Sequence, residues 1–110
     1  VDVAAPQKIL ITGEAGYGEL MPDLTIEEVD PDHYDLLLIP GGAPDGAPAI
    51  VRKLHKAREI TRSFFAKNKP VASVCHGPWT LADADVIKGT KPVKVRCCIH
   101  CLAKGHVITW

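Results

Sequence analysis

Apolar residues in this chain come in short unbroken runs that stop at proline or glycine, and one long stretch repeats them at helical spacing. The first run, Ile9-Leu10-Ile11-Thr12, is followed by the turn-rich Gly13-Glu14-Ala15-Gly16-Tyr17-Gly18 and then by Glu19-Leu20-Met21. Two short strands around glycines predict a small hairpin. Val1 to Ala4 reads as the end of another strand, stopped by Pro6. Thr25, with Glu28 three residues on, predicts a capping box over one helical turn. Asp30-Pro31-Asp32-His33 then breaks it. Leu36-Leu37-Leu38-Ile39 is apolar at every position. That lack of alternation predicts a strand buried on both faces, as in a parallel sheet. It ends in the glycine-rich loop Pro40-Gly41-Gly42-Ala43-Pro44-Asp45-Gly46.

The spacing predicts one helix from about Pro48 to about Lys67, with Pro48 at its first position. Ile50, Leu54, Ala57, Thr61, Phe64 and Phe65 fall on one stripe. Arg52, Lys53, Lys56, Arg58, Arg62 and Lys67 fall on the other face, which reads as a solvated surface because no aromatic interleaves the charges.

Lys69-Pro70-Val71-Ala72-Ser73-Val74-Cys75-His76-Gly77-Pro78-Trp79 is the most informative stretch. Val71 to Val74 is a short apolar run bounded by Pro70, so it reads as a buried strand. Trp79 to Ala84 suits a short helix with Pro78 in its first turn. Further strands are expected at Val93-Lys94-Val95 and His106-Val107-Ile108-Thr109, with Gly89 as a terminator between helix and strand. Buried strands alternating with helices predict an α/β layered sandwich, with its site beyond the carboxyl ends of the strands.

Composition narrows this without redirecting it. One domain is the prior for 110 residues. The 13 basic and 13 acidic residues give no net charge, hence no general electrostatic case for nucleic acid or an anionic membrane. No apolar run reaches transmembrane length, and Val1 to Pro6 lacks the positive region of a signal peptide. Three of the four cysteines, Cys97, Cys98 and Cys101, crowd into one segment. That is not a disulfide framework, so a cytoplasmic, reducing setting is expected. With His100 and His106 nearby, this segment holds side-chain types that bind zinc. Two well-separated ligand pairs are absent, so neither metal nor cofactor is expected.

Cys75 stands at the tight turn between strand and helix, and the turn lifts its side chain out of the sheet. The helix start and an adjacent protonated His76 would favour thiolate over thiol. Cys75 is therefore the candidate nucleophile, the alternative being an inert buried thiol. His76 is either its proton manager or a mere neighbour, because adjacent residues in an extended turn point apart. Gly41 and Gly42 allow close backbone approach and offer N–H groups that, with that of His76, could hold an oxyanion. Gly77 belongs to the same binding turn. Asp45 is a carboxylate that could orient a histidine, or a plain turn residue.

Tyr34-Asp35-Leu36-Leu37-Leu38-Ile39-Pro40-Gly41-Gly42, a long helix, and then Ala72-Ser73-Val74-Cys75-His76-Gly77 together resemble the DJ-1/PfpI family, closest to its intracellular cysteine protease branch. The resemblance is good over about Val29 to Lys91. It implies a flavodoxin-like three-layer α/β sandwich with a mostly parallel sheet, and homodimers or hexameric assemblies of dimers. It also implies Cys75 as nucleophile, His76 as its partner, and Asp45 reaching His76 across a subunit interface, although members usually have Glu there. Members begin with a strand and helix ahead of the position of Val1, followed by a glutamate that hydrogen-bonds the cysteine. No residue here takes that role. Residues 1–110 are thus expected to be a single such domain, incomplete at both ends.

The resulting expectation is a cysteine-dependent hydrolase, a peptidase of the PfpI type, acting on a peptide or a small carbonyl substrate. Glyoxalase or deglycase chemistry is the same-site alternative, and a redox-sensing or chaperone-like protein the non-enzymatic one. A glutamine amidotransferase-like domain is disfavoured, since His76 directly follows Cys75 and a distant His-x-Glu pair is lacking.

Overall fold

The structure, a computed structural model, describes residues 1–13 and 16–88. Chain contacts divide it into two compact units, Val1–Asp30 and the chain from Pro31 onward. Its strands are β1 (Ala4–Ala5), β2 (Ile11–Thr12), β3 (Glu19–Leu20), β4 (Leu24–Thr25), β5 (Leu37–Ile39) and β6 (Val71–Ser73). Its helices are α1 (Ala47–Val51), α2 (His55–Ala66) and α3 (Pro78–Asp83).

In the first unit β2 and β3 pair antiparallel, Ile11 opposite Leu20 and Thr12 opposite Glu19. This is the expected hairpin. Its turn is closed by Gly13 N–H to Gly18 O at 2.9 Å. β1 pairs with β4 in parallel. Strand β4 was not expected from the sequence, and Asp23 accounts for it. The Asp23 carboxylate accepts the Val3 N–H at 2.7 Å, while its own N–H donates to Val3 O at 2.8 Å. Those bonds align the two segments for pairing. Directly after β4, the Glu28 carboxylate accepts both the N–H and the hydroxyl of Thr25, at 2.7 and 2.9 Å. This is the anticipated cap of a one-turn 3-10 helix, and the Thr25 N–H holds the Glu28 carboxyl below its ordinary range.

In the second unit β5 and β6 run parallel, in the register Leu37–Val71, Leu38–Ala72 and Ile39–Ser73. Ile39 and Leu81 are buried at the centre, with Leu37, Phe65, Val71, Val86 and Ile87 against them. Burying a side chain such as Leu81 contributes about 2 kcal/mol. Leu36 and Leu38 are exposed, which corrects the expectation of burial on both faces. Side chains alternate across a strand. The helices cover the face bearing Leu37 and Ile39, and Leu36 and Leu38 point the other way.

The expected helix over 48–67 is two helices. Lys53 and Leu54 donate to carbonyls only three residues back, Ile50 and Val51. Leu54 is extended, at φ −71° and ψ 123°, and starts α2 afresh. The break resets the helical phase. Ile50, expected in the stripe, is exposed, and Ile60, not expected there, is buried. Helix α2 buries Ala57, Ile60, Thr61 and Phe64, at the spacing of one apolar face.

Helices α2 and α3 each end in a left-handed residue just past the cap. Asn68, at φ 53°, donates to Phe65 O, and Lys69 donates to Phe64 O. Asp85, at φ 56°, donates to Ala82 O, and Val86 donates to Leu81 O. These are Schellman closures of α2 and α3. The basic face of the helix is not simply solvated. Arg52 forks onto Asp83, Arg62 Nε donates to Ala84 O at 2.9 Å, and Lys67 pairs with Asp32. These residues tie α3 and the chain after Pro31 to the helices. The expected terminator at Gly89, the strands at 93–95 and 106–109, and Cys97, Cys98, Cys101, His100 and His106 lie outside the described residues. Among the described residues no helix is long and apolar enough to cross a membrane.

Candidate active site

Cys75 follows β6 directly. Val74 N–H still donates to Ile39 O at 3.2 Å, and the turn closes with Gly77 N–H to Val74 O at 2.9 Å. Helix α3 then starts at Pro78. Reversing the chain this sharply puts Cys75 at φ 56°, a left-handed conformation that costs a residue with a Cβ on the order of 1–2 kcal/mol. Backbone strain of this kind marks places where side-chain placement is held against local preference.

The loop after β5 lies against this turn. A Cβ on Gly41 would stand 2.4 Å from the Cβ of Cys75 and 3.2 Å from its Sγ. A Cβ on Gly77 would stand 2.6 Å from both Ile39 O and Ser73 Oγ. Neither position has room for any side chain: Gly41 packs directly on the Cys75 side chain, and Gly77 on the carbonyls of Ile39 and Pro40 and on Ser73 Oγ. Among the described residues, the N–H groups of Gly41 and Gly42 form no backbone hydrogen bond.

His76 is buried, at 5% exposure, and Cys75 is half-buried. Nδ1 of His76 stands 2.9 Å from Gly42 O and 3.3 Å from Cys75 Sγ. A carbonyl oxygen only accepts, so Nδ1 bears the proton in this arrangement. That proton lies between Gly42 O and the sulfur. Chain neighbours that would diverge in an extended turn are here turned onto each other by the left-handed φ of Cys75.

Cys75, His76, Gly41, Gly42 and Gly77 are thus brought together. Asp45 is not among them. It is exposed in the turn closed by Gly46 N–H to Ala43 O, and no hydrogen bond or ion pair joins it to His76 among the described residues. Sequence reasoning missed Trp79 and Arg52. The Trp79 ring meets that of His76 edge to face, centroids 4.9 Å apart, and Arg52 lies over the indole at 5.0 Å. The available signal was the spacing of Trp79 and Asp83, four apart on one helix face. Among the described residues no cluster of three His, Cys, Asp or Glu side chains is arranged to hold a metal.

The sequence profile of the DJ-1/PfpI family matches residues 1–96. The chain belongs to the DJ-1/PfpI family. It is 48% identical over 91 residues to Deglycase PfpI of Pyrococcus furiosus, covering 83% of this chain and 52% of that protein. It is 50% identical, with the same coverage, to Deglycase TK1284 of Thermococcus kodakarensis. A Bacillus subtilis relative with a provisional cysteine protease name, YraA, is 36% identical over 89 residues, covering 81% of this chain and 49% of that one. The chain therefore spans about half the length of the curated relatives it matches. The crystal structure of a ThiJ/PfpI domain protein from Brachyspira murdochii superimposes with a TM-score of 0.77, over 93% of this chain and 55% of that one, at 20% identity. The fold is the flavodoxin-like α/β fold of this family.

Proposed function

We propose that this chain carries the cysteine site of an enzyme acting on reactive carbonyls, a deglycase or glyoxalase. The observation that carries the reading is the placement of Cys75 Sγ 3.3 Å from a ring nitrogen whose proton is fixed by Gly42 O. The deglycase names of relatives near half identity favour carbonyls over peptides as substrate.

In this reading the Cys75 thiolate adds to the carbonyl carbon. A carbon–sulfur bond forms, and the carbonyl π pair moves onto oxygen. The N–H groups of Gly42 and His76 meet the oxyanion, with Gly41 packed against Cys75 and Gly77 against the carbonyls of Ile39 and Pro40. His76, as the imidazolium, then supplies it a proton and is left neutral. Moving the proton on the adduct carbon to the neighbouring carbonyl carbon turns the hemithioacetal into a thioester, and water hydrolyses it and frees Cys75. Asp45 from a second copy of the chain orients His76, which makes the working form an oligomer.

Peptide hydrolysis is a second reading, supported by the cysteine protease name of the B. subtilis relative. There the amine leaves with a proton from His76, and water hydrolyses the thioester. Methylglyoxal and an unstructured peptide offered in parallel separate the two. Consumption of methylglyoxal with the peptide intact is expected. Cleavage of the peptide without loss of methylglyoxal overturns the carbonyl reading.

A further inference from the structure

Trp79 and Asp83 stand one helical turn apart on the same face of α3. A single side chain from the end of α1 reaches both. Arg52 places Nε 2.7 Å from Oδ2 and Nη2 2.9 Å from Oδ1 of Asp83. Its guanidinium carbon stands 5.0 Å from the centre of the Trp79 ring, within the range of a cation–π contact. The far side of the same contact chain is the edge-to-face meeting of Trp79 with His76. Beyond that lies Cys75 Sγ, 3.3 Å from Nδ1.

We propose that Arg52, Asp83 and Trp79 form a positioning unit that fixes the imidazole plane of His76 beside Cys75. Gly42 O fixes the ring at Nδ1. A second contact, at another point of the ring, sets its plane. The indole supplies it, and the indole is itself held by a guanidinium whose plane is set by a two-point bond to Asp83. None of the three residues touches the reacting atoms. Their effect on chemistry passes through His76. The inference rests on the reading of Cys75 and His76 as a working pair, and it adds residues that no cysteine motif would select.

Alkylation of Cys75 by iodoacetamide tests it, followed on the Cys75 peptide by mass spectrometry so that Cys97, Cys98 and Cys101 do not contribute. Trp79→Leu and Arg52→Gln are expected to slow alkylation by about threefold or more, because His76 no longer supports the thiolate. Trp79→Phe, which keeps a ring for both contacts, is expected to stay within about twofold of wild type. In a His76→Ala background, Trp79→Leu is expected to change the rate by less than about twofold, because the route to sulfur is already cut. A wild-type rate in Trp79→Leu overturns the proposal. So does an equal slowing by Trp79→Leu with and without His76, or a Trp79→Phe variant as slow as Trp79→Leu. Alkylation needs no turnover. A protein that leaves methylglyoxal untouched defeats the carbonyl reading and leaves this cycle readable.

Discussion

Cys75 Sγ lies 3.3 Å from Nδ1 of His76, its immediate chain neighbour. Side chains of successive residues normally diverge. These two converge because Cys75 takes φ 56° and because the Gly42 carbonyl holds the imidazole from the other side. The strain and the geometry are one feature.

Cys75→Gly should therefore be more stable than Cys75→Ala, by about 1 kcal/mol, because glycine adopts positive φ without a Cβ penalty. Urea denaturation of the two variants measures it. Equal midpoints would mean that the turn at Cys75 carries no strain.

Gly77→Ala should destabilise by about 1–3 kcal/mol, since its new methyl group meets two backbone carbonyls and Ser73 Oγ. Gly41→Ala should act on the site itself, because its methyl group meets the Cβ and Sγ of Cys75. A thermal scan beside a Cys75 alkylation rate separates the two effects. Gly41→Ala with unaltered alkylation would contradict the close contact.

Phe64 and Leu81 are 1% and 0% exposed. Phe64→Ala should cost about 3–5 kcal/mol and Leu81→Ala about 2–5 kcal/mol, as lost burial plus a cavity. A loss under about 1 kcal/mol at Leu81, by denaturant titration, would mean that the core between β5 and α3 is not packed as described.

Asp83 gives the pH dependence a sign. The hydrogen bonds from Arg52 hold its carboxyl below its ordinary value of 3.8, and the same bonds raise Arg52. A carboxyl lowered in the folded state contributes stability that is full above its unfolded value and is lost as pH falls through the folded value. Both side chains are about a third exposed, so screening limits the pair to about 1 kcal/mol. Asp83→Asn should lose that amount at pH 7. Its stability should also fall less than wild type's as pH drops below 3.8. Parallel acid titrations of the two proteins would refute this by showing the same slope.

The local turns were the most legible part of the sequence. The hairpin around Gly13–Gly18, the cap at Thr25 and Glu28, the strand-to-helix turn at Cys75 and the Gly41–Gly42 loop all follow from residue types with strong backbone preferences. What escaped reading depends on contacts between distant segments. The break at Leu54 has no glycine or proline to announce it, and Arg52 beside it turns to Asp83, thirty-one residues on. The pairing of β1 with β4 rests on Asp23 meeting Val3. The exposure of Leu38 depends on which sheet face the helices cover. In the site, glycine and cysteine marked the backbone, whereas the role of Trp79 shows only when α3 is set beside α1.

The most direct test of the central claim is methylglyoxal consumption by the wild-type protein and by Cys75→Ala, prepared and assayed side by side. The account predicts turnover by wild type and none above background by Cys75→Ala, with the variant still folded by circular dichroism. Turnover by a folded Cys75→Ala at the wild-type rate would contradict it.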